Sequence, residues 1–153
     1  MKVEDKLKEI GLSIPETPKP MAAYVPAKRV GNLVFTSGQG PIVAGVPKYR
    51  GKVGRDLSIE EGKKAAELTM LNCLSAVKSV VGDLEKVVEV VKVLGFVNSA
   101  PGFNQQPQVM NGASELLEKI FGERGKHARS AIGTSDLPLD IPVEIEMIVQ
   151  VKD

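Results

Sequence analysis

The sequence predicts an α+β fold, a mixed sheet with two long helices on one face. Three observations predict it. Two stretches repeat apolar residues at helical spacing, and each stops at a glycine, Gly82 or Gly122. Residues 87–98 (VVEVVKVLGFVN) form a strand apolar on both sides, broken only by Glu89 and Lys92. Residues 142–151 alternate without fault, Val143, Ile145, Met147, Val149 and Val151 pointing one way and Glu144, Glu146 and Gln150 the other.

Residues 3–10 read as a short amphipathic helix with Val3, Leu7 and Ile10 on one side and Gly11 as its stop. Pro15, Pro18 and Pro20 follow in an extended linker. Residues 1–21 are therefore expected as an N-terminal arm on a single domain, 22–153. Residues 22–29 and 32–37 read as a hairpin turned at Val30–Gly31. Its second strand breaks at Thr36-Ser37-Gly38-Gln39-Gly40-Pro41, where hydroxyls and backbone N–H groups are left for a ligand or simply make a turn. Residues 42–56 read as an exposed loop with one short strand.

Ser58-Ile59-Glu60-Glu61 is a capping box that opens the first long helix. Its buried stripe is rich in small residues, which let a helix lie close on a sheet, and it includes Cys73 as a core thiol. Residues 101–108 read as a polar loop. The second helix follows, with Val109, Ala113, Leu116, Leu117 and Ile120 inward. Residues 127–133 and 142–151 are expected as the last two strands, joined by a turn-rich loop. If they pair antiparallel, Arg129 and the glutamates meet on one face. The doubly apolar strand needs two covers, and the helices supply only one, so a second subunit is expected on the other face.

Composition narrows the function. The chain has 153 residues, 20 Lys plus Arg against 19 Asp plus Glu, and a net charge of +1, which gives no electrostatic case for nucleic acid or an anionic membrane. One cysteine and one histidine cannot build a His/Cys metal site, and no phosphate-binding glycine motif calls for a nucleotide cofactor. Neither metal nor cofactor is expected. Single-cysteine usage and the lack of a signal sequence or membrane-length apolar run point to a cytoplasmic protein.

The pieces Ala23-Tyr24-Val25, Gly31 through Gln39, Gly95-Phe96-Val97-Asn98, Ala128-Arg129-Ser130 and Val143-Glu144-Ile145-Glu146 come in the order and spacing of the Rid/YjgF family. The chain resembles these reactive intermediate deaminases from about Tyr24 onward, in a branch often labelled endoribonuclease L-PSP-like. The resemblance implies a chorismate-mutase-like fold in a homotrimer with a central barrel and clefts between subunits. It implies that Arg129 clamps a substrate carboxylate, that Tyr24, Ser37 and Asn111 line the cleft, and that Glu144 places the attacking water. The implied reaction is hydrolysis of 2-imino acids to 2-keto acids and ammonia.

On the residues alone, Arg129 beside Glu144 or Glu146 reads as a plain ion pair, and only the resemblance makes it a clamp. His127 reads as structural or solvated. Many family members carry cysteine two residues after the arginine, where this chain has Ala131. That departure keeps open a non-catalytic small-carboxylate-binding or regulatory trimer. Endoribonuclease or translation-inhibitor activity is disfavoured by neutral charge, few aromatics and a single histidine.

Overall fold

The architecture follows from one long helix that starts where its capping sequence says it must. Ser58 Oγ accepts from Glu61 N at 3.1 Å while Glu61 Oε1 accepts from Ser58 N at 3.1 Å, opening α2 (Ile59–Val81). Gly82, with φ 85°, closes it. The computed structural model describes residues 1–17 and 23–153. Around α2 lie α1 (Val3–Glu9), β1 (Ala27–Val30), β2 (Leu33–Thr36), the small hairpin β3 (Ile42–Val43) and β4 (Val46–Pro47), β5 (Val87–Asn98), α3 (Gln106–Phe121), β6 (Ala128–Thr134) and β7 (Val143–Val151).

Five strands form one mixed sheet in the order β1-β2-β7-β5-β6. β7 sits at its centre, antiparallel to β2 and to β5, while β5 and β6 run parallel. The antiparallel pairing on which a shared Arg129–glutamate face depended is therefore not formed, since β5 lies between β6 and β7. β5 leads through α3 into β6, and a crossover through a helix brings the second strand in parallel beside the first. β5 then occupies the edge of β7 that β6 would have taken, pairing from Val87 opposite Val151 to Val97 opposite Val143 with register shifts at Val87–Glu89 and Val90–Lys92.

Both long helices cover one face, as expected. Beneath them Val34, Val93, Val97, Val143, Ile145 and Val149 are fully buried. α2 and α3 lie close because Gly112 has no side chain, and a Cβ there would collide with the Lys63 carbonyl. Cys73 is buried on the α2 stripe, its Sγ 3.3 Å from Ile145 O, and burial pushes its thiol well up. The other face carries Leu33, Phe35, Lys92, Leu94, Phe96, Ile132 and Glu144, and no helix among the described residues covers it. Val30, Phe35 and Ile132 are exposed there.

Val3 and Leu7 of α1 join the core, and Val3 N donates to Glu85 Oε2 at 2.7 Å. Ile10, expected on the same side, is exposed: the helix ends at Glu9, and Leu12 and Ile14 pack on the core instead. Pro18 and Pro20 of the expected linker, and Ala22 at the expected start of the first strand, lie outside the described residues. The hairpin turns at Gly31–Asn32 rather than Val30–Gly31, with Gly31 at φ 61°. α3 begins inside the expected polar loop, because Pro107 suits a first helical turn where no N–H is needed.

Candidate functional site

Arg129 stands opposite Val93 in the sheet, so its side chain points toward the helix layer and meets α3. Its Nη1 donates to Asn111 Oδ1 at 2.9 Å and to Ser114 Oγ at 3.1 Å. Asn111 and Ser114 are three residues apart and share one helix face, so both reach the same nitrogen. Ser114 Oγ also lies 2.9 Å from His127 Nε2, and His127 Nδ1 lies 2.6 Å from Gly125 O. A carbonyl only accepts, so Nδ1 bears the hydrogen in the neutral ring. Nε2 then accepts from the Ser114 hydroxyl, whose oxygen accepts from Arg129. Burial holds the imidazole below its ordinary value and Arg129 adds to that, against the Gly125 hydrogen bond.

Of the five guanidinium donors, the two on Nη1 are committed, leaving those on Nε and Nη2. No ion pair among the described residues includes Arg129. It lines an open cleft of about 370 Å³ with Asn111, Ser114, Glu115, Lys126 and His127. A half-buried cation held by neutral groups, with donors to spare, is what a carboxylate requires.

Glu144 is elsewhere. It stands opposite Phe96 on the uncovered face, so Arg129 and Glu144 lie on opposite sides of the sheet and do not meet within one chain. The expected shared face fails because that expectation needed β6 and β7 to be neighbours. Gly38 makes room for the carboxylate, since a Cβ there would sit 2.7 Å from Glu144 Oε2. Burial raises the Glu144 carboxyl above its ordinary value, and neighbouring Glu146 raises it further.

Ser37 lies beside this second group. Its Oγ donates to Val25 O at 2.5 Å and its N–H to Pro26 O at 2.8 Å, tying down the segment that carries exposed Tyr24. Thr36 Oγ1 accepts from Met147 N at 3.0 Å. The Thr36 and Ser37 hydroxyls thus serve the fold, and the Ser37 hydroxyl has only its oxygen lone pairs to offer a ligand. Asn72 on α2 fixes the same loop by donating to Gly40 O at 2.9 Å and Ile42 O at 2.8 Å.

Arg129 and Asn111 are brought together, whereas Glu144 lies on the opposite face of the sheet and Ser37 and Tyr24 lie toward its β1–β2 edge. Sequence reasoning missed Ser114 and placed His127 outside the site. Helix spacing from Asn111 and strand spacing from Arg129 would have found both.

A family model described as "YjgF/chorismate mutase-like, putative endoribonuclease" matches residues 4–149. Protein TCP17 of Trypanosoma cruzi is 36% identical over 153 residues, covering 99% of this chain and 96% of that one. The 2-iminobutanoate/2-iminopropanoate deaminase of Dermatophagoides farinae is 31% identical over 142 residues, covering 92% and 95%. A crystal structure of an Agrobacterium tumefaciens protein of unknown function superposes with a TM-score of 0.92 at 43% identity, covering 98% of this chain and 92% of that one.

Proposed function

The chain belongs to the YjgF/chorismate mutase-like family, and on that premise we propose that it is an enamine/imine deaminase. It hydrolyses reactive 2-imino acids to 2-keto acids and ammonia in a cleft between subunits of a homotrimer. The observation that carries this reading is Arg129, a half-buried guanidinium without a carboxylate partner among the described residues, held through Nη1 and facing a cleft. A substrate carboxylate on Nε and Nη2 is gripped bidentately, which fixes the adjacent imine carbon. Glu144 orients the attacking water and takes its proton, a role for which a carboxyl raised by burial is a stronger base than an ordinary glutamate. Tyr24, Ser37 and Asn111 shape the cleft.

Because Arg129 and Glu144 face opposite ways, the glutamate at each clamp comes from a second copy of the chain. The apolar residues on the uncovered sheet face, Val30, Phe35 and Ile132 among them, support burial against that copy. A net charge of +1 favours a small carboxylate over RNA as the ligand. Ala131 favours a second reading, a trimer that binds small carboxylates without turning them over.

Purified protein mixed with freshly generated 2-iminobutyrate or 2-iminopropionate should speed keto-acid release. Arg129→Ala should reduce kcat/KM about a hundredfold or more, the value of two charge-assisted hydrogen bonds. No acceleration by the wild type would leave the binding reading in its place.

A further inference from the structure

We propose that Ser114 and His127 form a proton relay built onto the Arg129 clamp, loaded when a carboxylate binds in the cleft. The geometry already sets the direction of every bond in it. Arg129 Nη1 donates to Ser114 Oγ at 3.1 Å, Ser114 donates to His127 Nε2 at 2.9 Å, and His127 Nδ1 donates to Gly125 O at 2.6 Å. All of the side chains in this series line the cleft, so the hydroxyl lies between the ring and the space a ligand takes.

The charged groups around the ring are Arg129 from β6, Glu115 and Glu118 from α3, and Lys126 from the turn before β6. Glu115 is engaged by Lys63 at 3.7 Å and Lys126 by Glu123 at 2.8 Å. Arg129 is therefore the main charge opposing a proton on His127 in the empty cleft, beside the effect of burial. A ligand carboxylate on the guanidinium cancels that charge. Binding then raises the affinity of the ring for a proton, and by reciprocity the protonated ring raises the affinity for the carboxylate by the same factor.

In the proposed deaminase, on whose reading this next step rests, the relay supplies the proton that ammonia needs to leave. After water has added to the imine carbon, His127 Nε2–H passes its proton to Ser114 Oγ while Ser114 gives its own hydrogen to the substrate nitrogen. The C–N bond then breaks with its electron pair on nitrogen. Glu144, having handed the attacking water's first proton to the substrate nitrogen during addition, takes the proton of the remaining hydroxyl as it becomes the carbonyl, and releases it to solvent. The ring is left neutral, the serine intact, and the next carboxylate reloads the pair.

His127 is the single histidine of the chain, so its ring resonances can be followed without ambiguity by NMR. With saturating pyruvate its pKa should rise by about one unit, matched by pyruvate binding about tenfold tighter well below that titration than above it. Arg129→Ala should abolish the shift. His127→Gln, which keeps an acceptor for Ser114 but does not titrate, should bind pyruvate with an affinity independent of pH. An unshifted titration at saturating pyruvate, or no binding of pyruvate at any pH, overturns the proposal. Full imine hydrolysis in both Ser114→Ala and His127→Gln overturns the proton-return step. A shifted histidine in a protein that hydrolyses no imine would sink the deaminase reading and leave the proton-coupled clamp standing.

Discussion

The Arg129 end of β6 and the Glu144 end of β7 are built in different ways. Around Arg129, helix, strand and turn each contribute a group, and the hydrogen bonds run unbroken from Nη1 to the Gly125 carbonyl. Around Glu144 the fold provides space, through Gly38, and a desolvated position, but no hydrogen bond to the carboxylate among the described residues. One end is organised before any partner arrives. The other offers only space and a desolvated position, so in the proposed deaminase gripping the ligand and protonating its nitrogen fall to one chain while placing the water falls to a second copy.

Subunit mixing offers the largest test of that division. Arg129→Ala and Glu144→Gln should each be nearly inactive, yet chains of the two variants co-expressed in equal amounts should regain about a quarter of wild-type activity. That is the chance that a cleft draws its arginine from one variant and its glutamate from the other. No recovery in mixed trimers would place both residues in separate sites. Glu144→Gln alone should lower kcat about a hundredfold with pyruvate affinity unchanged. In the wild type, activity should fall as pH drops through the Glu144 titration, because the carboxylate is the working form. Burial and Glu146 set that limb above the ordinary glutamate range, and the variant should lack it. The smallest effect is expected from Asn111→Ala, about tenfold and mainly in KM, since one of the two groups fixing Nη1 remains. An equal loss in kcat would mean that Asn111 also keeps Ser114 and His127 in line for proton delivery.

Much of this molecule was legible in its residues. The capping box at Ser58, the stops at Gly82 and Gly122 and the alternation of β7 are local signals, and the observed elements follow them closely. The neighbour of β7 was not legible. Alternation in β6 says which side chains share a face, not which strand lies alongside, and that choice was made by the crossover through α3. The same limit hid the site. Arg129 stood out through its family context, whereas Ser114 and His127 are ordinary residues until α3 is laid across β6. Ile10 failed for a simpler reason, since the helix ends one residue sooner, at Glu9, and Ile10 leaves the helical face.

Cys73 has a practical consequence for anyone who works with this protein. It is the single cysteine, fully buried on the sheet-facing side of α2, and its sulfur rests against the Ile145 carbonyl. The native chain is thus silent toward alkylating dyes while folded. A thiol introduced at Ala131 would be the lone addressable thiol on the molecule, giving a chemical window onto the Arg129 side of the sheet without first removing a native residue.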